Sequence, residues 1–269
     1  MKRVTQIDVC VVEKNSSRTL AKCLSAIKQN LPGMELIVFD DHSSDESASI
    51  ARKFTNKVFT VSGVLGAVRY EAAKRATGRW IIFIDSDVYV YPNWWKKIRD
   101  FLHDDNVGWV TGLHDYPCIL PLWKEYHDNI FMRHGATAFS NTALRRDLLL
   151  DCKEIKLVHG GEDWVVKLHI MNQGMRAVTL TDKLSYHDNE NLSGYFKAYF
   201  RWGQSYRLNL SPRLALAAGY LSFVKSPIVD WLTFTRIRKI SLTLLFIVIL
   251  VGVWGIFGVL RGMKPRESV

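Results

Sequence analysis

Asp85-Ser86-Asp87 places two carboxylates two residues apart, directly after the apolar run Ile81-Ile82-Phe83-Ile84. Just past a buried strand, two such groups can approach one cation together with the phosphate oxygens it carries. Oxygen ligands suit Mg2+ or Mn2+. A cation held there would bridge diphosphate oxygens and offset negative charge on a departing nucleotide. Solvated turns contain many bare Asp-x-Asp triplets. The weight therefore rests on the strand before this one and on the other carboxylates that follow apolar runs, Glu13-Lys14-Asn15 and Asp40-Asp41.

Three further stretches offer chemistry. Gly161-Glu162-Asp163-Trp164 opens a helical pattern. Acidic residues at a helix start complement its dipole, and Asp163 is equally suited to act as a general base toward a hydroxyl. His187, in Leu184-Ser185-Tyr186-His187-Asp188, follows a strand pattern; a neutral imidazole there can complete a metal site, contact a phosphate, or serve structure alone. Arg201, Trp202 and Arg207 lie in a basic aromatic stretch, which fits bidentate phosphate contacts as well as anchoring at a membrane interface. Trp94 and Trp95, after Pro92-Asn93, read as packing at a helix start.

The elements that must position these groups alternate strand and helix. Apolar runs at Ile7 to Val12, Leu36 to Phe39, Val58 to Val61 and Trp80 to Ile84 read as strands. Between them, Leu20, Cys23, Leu24 and Ile27 recur at helical spacing up to Pro32-Gly33. Ser43 and Glu46 form a capping-box pattern for a helix to Phe54, and a third helix spans Ala67 to Ala76. Such alternation implies parallel βαβ units, whose ligands bind at the carboxyl ends of the strands. From Asn106 to Arg146 the pattern is irregular. Glu162 to Gln173 reads as a helix stopped by Gly174, and Arg176 to Leu180 as a strand.

The 269 residues suffice for one large α/β domain and an appendage. A hydrophobic content of 48% supports a packed core and excludes wholesale disorder. The 36 basic and 26 acidic residues leave a net charge of +10, which suits an anionic partner such as nucleotide phosphates or an acidic membrane surface. No nucleic-acid-binding module accompanies that charge. Cys10, Cys23, Cys118 and Cys152 lack metal or redox spacing and read as reduced core residues. Ile7 to Val12 is too short for a signal sequence. Ile240 to Leu260 runs 21 residues without a charge, enough to cross a hydrocarbon core of roughly 30 Å as a helix. Residues 211–239 read as a helix lying on the membrane with a basic linker, and 261–269 as a short basic tail.

In this order, the motifs resemble family 2 glycosyltransferases of the GT-A fold, over about residues 6 to 207. The segment Glu35 to Asp45 looks like that family's nucleotide-binding stretch, with Asp41 expected at the base or ribose. Of the family's first-strand Pro-x-Tyr-Asn, Val12-Glu13-Lys14-Asn15 keeps Asn15. Gly66-Ala67-Val68-Arg69 looks like the segment whose arginine lies near the donor. Asp85-Ser86-Asp87 matches the metal motif, Glu162-Asp163 the pair whose Asp is the usual base, and His187 a frequent metal or phosphate histidine. Processive members carry Gln-x-x-Arg-Trp; Ala198 stands at the Gln position before Arg201-Trp202, which argues against polymer synthesis. Polyprenyl-phosphate sugar synthases usually lack a Glu-Asp-Trp, so Asp163 points to a hydroxyl acceptor.

The resemblance implies an α/β fold: a Rossmann-like mixed-sheet GT-A domain over 1–210, followed by membrane-associated helices with a single transmembrane span at 240–260. The expected activity is metal-dependent, inverting transfer from a nucleotide-sugar donor to a glycan or lipid-linked acceptor at a membrane, with the catalytic domain cytoplasmic. The expected donor contacts are Asn15, Asp41, Arg69, Asp85 and Arg201. Asp85, Asp87 and His187 would hold Mn2+ or Mg2+, and Asp163 would be the base. The rivals are a polyprenyl-phosphate sugar synthase, a nucleotidyltransferase, for which Glu13-Lys14-Asn15-Ser16-Ser17 is a poor phosphate loop, and a non-catalytic membrane scaffold.

Overall fold

Four near-continuous apolar runs become a parallel ladder: β1 (Ile7–Glu13), β2 (Glu35–Asp40), β3 (Val58–Thr60) and β4 (Trp80–Asp85), in spatial order β3-β2-β1-β4. Strands covered on both faces need apolar residues at every position, and Trp80 through Ile84 are all fully buried. The crossovers are α1 (Leu20–Asn30), α2 (Ser47–Arg52) and α3 (Leu65–Arg75). Alternate residues feed two cores. Val9, Val11, Ile82 and Ile84 pack with the Leu20, Cys23, Leu24, Ile27 stripe of α1. Cys10, Ile37, Ile81 and Phe83 pack with Val68, Ala72 and Ala73 of α3.

This computed structural model describes residues 6–115, 138–158, 160–188 and 200, with eight positions between 249 and 260. The chain divides into two compact units, Met1–Pro117, His134–Leu157 and Glu162–Asn189 in the first, and Cys118–Arg133, Val158–Gly161 and Glu190–Val269 in the second. Expectations on Cys118, Arg201, 211–239 and 261–269 fall outside the described residues. Cys10, Cys23 and Cys152 are free and buried, as expected.

The parallel ladder continues into a mixed sheet of eight strands among the described residues, ordered β3-β2-β1-β4-β7-β6-β8-β5. Its added strands are β5 (Val88–Val90), β6 (Val107–Asp115), β7 (Asn141–Arg145) and β8 (Arg176–His187). β7 runs antiparallel to both β4 and β6, β6 and β8 are parallel, and β5 pairs antiparallel with β8. The stretch from Asn106 to Arg146 is thus not wholly irregular: it contributes β6 and β7. Its glycines disguised it. A Cβ on Gly108 would come within 2.6 Å of Ile170 Cγ2 and 2.7 Å of Leu148 Cδ1, so this glycine lets two helices close on β6. Those helices are α5 (Arg146–Asp151) and α6 (Glu162–Asn172); α4 (Trp94–Ile98) packs the buried Trp94 against the other face.

One helix boundary differs from the sequence pattern. The capping box does not form, because Ser43 Oγ donates to Glu13 Oε2 instead and α2 starts only at Ser47, whose N–H donates to Asp45 Oδ1. α6 ends as expected at Gly174, in the left-handed region at φ 76°. Among the described residues no helix is long and apolar enough to cross a membrane.

Gly108→Ala should destabilise the protein by ~1–3 kcal/mol through overpacking, read as a lower urea midpoint with an unchanged denaturant slope.

Candidate active site

Strand register gathers the carboxylates. Glu13 lies opposite Asp40 across β1 and β2, and Val12 lies opposite Asp85 across β1 and β4. The chain's acidic strand ends therefore share one edge of the sheet. Each leads into a loop, and the loops are tied together. Asn15 N–H donates to Ser43 Oγ, and Asn15 Oδ1 accepts from Ser44 N–H. Asn15 holds φ 51°, one of two non-glycine residues there in the left-handed region. Ser16 Oγ and Ser86 Oγ are 2.8 Å apart, joining the loop after β1 to the Asp85-Ser86-Asp87 turn. Asp41 pairs with Lys14 at 2.9 Å.

Arg69 is the hub. It projects from α3 with only 3% exposure. Its Nη2 donates to Asp85 Oδ1 at 2.9 Å and its Nε to Glu162 Oε1 at 3.3 Å. The guanidinium carbon sits 4.5 Å from the Phe139 ring centre and 5.3 Å from that of Phe83. Burial opposes its charge, but Asp85 and Glu162 beside it hold its pKa above the ordinary arginine value. Among the described residues its buried Nη1 has no hydrogen-bond acceptor. The family resemblance implies that Arg69 lies near the donor; its Nε and Nη2 join the Asp85-Ser86-Asp87 turn to the start of α6.

Glu162 is thereby neither a free dipole partner nor a base, but the buried counter-ion of Arg69, only 5% exposed. Asp163, next to it, is partly buried and accepts Trp164 N–H at 2.7 Å. Burial, with the neighbouring Glu162 charge, pushes its carboxyl up to about 8. A raised carboxyl accepts protons more readily than an ordinary aspartate, which suits proton transfer near neutral pH.

β8 and β5 bring in the histidine. Val88 pairs with His187 across the two strands, and His187 Nε2 lies 3.2 Å from Asp87 Oδ1. An imidazole nitrogen and a carboxylate oxygen at that separation can both reach one cation, so Asp87 and His187 fit a divalent metal. Asp85, two residues before Asp87, has its Oδ1 taken by Arg69. Asp188 N–H donates to the Asp87 carbonyl, and its carboxylate takes Tyr89 Oη at 2.6 Å. Beneath this pair, buried His114 bonds Ser140 and Ser185, each at 2.8 Å, and its ring centre lies 5.3 Å from that of His187. Sequence reasoning missed His114 because it falls in the stretch that looked irregular; its one sequence signal was an apolar run before it.

Glu13 is another residue whose state only the fold shows. Burial, then its hydrogen bond with Asp40, pushes its carboxyl up to about 8. An open cleft of about 830 Å3 begins at His42, next to Asp41, and is lined by Thr60, Ser62, Tyr70, Lys74 and Lys156. It lies beside the Arg69 hub and includes none of Asp85, Asp87, Asp163 or His187.

Removing one partner of a buried ion pair strands the other. Arg69→Met should therefore cost ~3–5 kcal/mol. Arg69→Met/Glu162→Gln should recover part of that loss, giving a coupling of ~1–3 kcal/mol in a double-mutant denaturation cycle.

A sequence model described as "Glycosyl transferase family 2" matches residues 8–160. The chain is 28% identical over 150 residues to the poly(ribitol-phosphate) beta-glucosyltransferase of Bacillus spizizenii, covering 50% of this chain and 24% of the relative. It is 26% identical over 201 residues to the poly(ribitol-phosphate) beta-N-acetylglucosaminyltransferase TarS of Staphylococcus aureus, covering 68% and 35%. The chain thus spans about a quarter to a third of these relatives. A solved structure of glucosyl-3-phosphoglycerate synthase from Mycobacterium tuberculosis, in complex with Mn2+, uridine-diphosphate and glucosyl-3-phosphoglycerate, has the same fold. Its TM-score is 0.53 at 18% identity, covering 71% of this chain and 74% of that one. The acidic strand ends, the Arg69 segment and the Asp85-Ser86-Asp87 turn all fall within the matched span, and the chain belongs to glycosyl transferase family 2.

Proposed function

We propose that this protein transfers a sugar from a nucleoside diphosphate sugar to a hydroxyl on a cell-envelope glycoconjugate, with inversion at the anomeric carbon. The observation that carries this reading is the bridge from Arg69 to both Asp85 and Glu162. It keeps a carboxylate suited to a diphosphate-bound cation and the start of α6, where Asp163 stands, within reach of one guanidinium. Similarity to transferases named for poly(ribitol-phosphate) supports an anionic envelope acceptor, and a net charge of +10 suits one. The Glu162-Asp163 pair favours a hydroxyl acceptor over a polyprenyl phosphate, which needs no base.

Asn15 and Asp41 are assigned to the base and ribose, a reading supported by their adjacent loops at one sheet edge. Asp85, Asp87 and His187 hold Mn2+ or Mg2+, the ion named in the solved complex being Mn2+. Bound there, the cation supplies charge stabilisation for the diphosphate. Arg69 Nη1 is placed to donate to a donor oxygen, and Arg201 is assigned a second phosphate contact. Asp163 takes the acceptor proton as the acceptor oxygen attacks the anomeric carbon. The bond from that carbon to the diphosphate breaks on the opposite face, which inverts the centre.

The run from Ile240 to Leu260 is proposed as a single membrane span with the catalytic unit on the cytoplasmic side. Its described positions are helical, and Ile249, Val253, Phe257 and Leu260 recur every three to four residues with their side chains exposed. A repeating apolar helical face suits lipid.

Three outcomes test these readings. With purified full chain and a panel of nucleotide sugars, Asp163→Asn should keep donor affinity and lose turnover ~10²-fold or more. Its parent should turn over faster as pH rises toward about 8, because the base acts only when deprotonated; unchanged transfer by the variant removes Asp163 from the mechanism. Asp87→Ala should instead abolish the Mn2+-dependent part of donor binding in calorimetry. Deleting 240–260 should move the protein from the alkaline-extracted membrane pellet to the supernatant, and retention in the pellet would refute a membrane span there.

A further inference from the structure

Cys152, Glu154 and His169 bring a sulfur, a carboxylate oxygen and an imidazole nitrogen within 4.8 Å of one another. Three different elements supply them. Cys152 follows the last residue of α5, Glu154 lies in the 3-10 turn Lys153–Leu157, and His169 comes from α6. Cys152 is 1% exposed. Asp151 Oδ2 lies 3.1 Å from His169 Nε2, adding a fourth polar group. None of these residues lines the cleft that begins at His42, and the proposed transfer reaction uses none of them.

A donor set of one sulfur, one imidazole and one carboxylate matches the ligands of Zn2+ and not those of Mg2+ or Ca2+. Three protein ligands also satisfy the minimum for a tetrahedral site, with Asp151 or water at the fourth position. We propose that Cys152, Glu154 and His169 form a Zn2+ site, separate from the donor metal site, that fastens α6 to the segment after α5. Such a cation would close the loop between residues 154 and 169. That loop reaches α6 through Gly160 and Gly161, both in the left-handed region at φ 101° and 77°. Closing it from the far side of α6 limits the freedom of the helix that carries Asp163 six residues earlier.

Full-length protein titrated with Co2+, a spectroscopic substitute for Zn2+, distinguishes this site from the cleft. Thiolate ligation gives a near-ultraviolet charge-transfer band that carboxylate and imidazole sites lack, and added Zn2+ should bleach it. Cys23, whose thiol donates to the Asp85 carbonyl at 3.4 Å, is the thiol beside the donor metal motif. The band should disappear in Cys152→Ser and persist in Cys23→Ser. His169→Asn and Glu154→Gln, both at the surface side of the cluster, should each weaken Co2+ at least about tenfold, since even outer-shell partners are worth that much. No band with stoichiometric Co2+, or a band that survives Cys152→Ser, overturns the proposal and leaves only a buried thiol and a histidine–aspartate pair. Neither result bears on the transfer reaction, which is read by turnover.

Discussion

A guanidinium taken out of water must be matched by anions and acceptors, or its desolvation destabilises the fold. Arg69 meets that demand with Asp85 on one side, Glu162 on the other and two aromatic rings nearby. The three charged residues come from α3, the end of β4 and the start of α6. Because the fork of a guanidinium is planar and rigid, it fixes the direction of both carboxylates, which a lysine could not do. The end of β4 and the start of α6 are thus held together by one electrostatic contact.

The sheet extends this constraint. β4 ends in the metal motif, and β7 pairs with β4 so that β6, β8 and β5 follow in order. That chain of pairings returns His187 to a place beside Asp87. Buried Ser140, just before β7, His114 of β6 and Ser185 of β8 form a hydrogen-bonded line beneath it. Polar groups so deep in a sheet persist only when each finds a partner. Their bonds brace the end of β8, which its hydrogen bonds to β5 alone would hold less firmly.

Much of this was legible along the chain. The four parallel strands show as short apolar runs, and the acidic residues after them mark the ligand-binding edge before any coordinates exist. The helix stripe from Leu20 to Ile27 and the stop at Gly174 appear in the structure as their spacing implies. β6 and β7 were hidden, since glycines at 108 and 112, needed for close packing of Ile170, Leu148 and Leu184, break the strand signature. The capping box at Ser43 and Glu46 failed for a related reason. Ser43 is within reach of Glu13, from a strand thirty residues earlier, and that bond competes with the local one.

Sequence alone settled which residue types stand at strand ends, because a strand's burial is written in consecutive apolar positions. It also settled that a carboxylate pair follows β4 and that another opens α6. Tertiary structure decided what each carboxylate does. Glu13 is buried beside Asp40 with a raised affinity for a proton, Glu162 neutralises Arg69, Asp87 meets His187, and Asp163 is left partly buried with a raised affinity for a proton. Those roles depend on distances and on the local dielectric, between groups up to about a hundred residues apart, and neither quantity is encoded in local spacing.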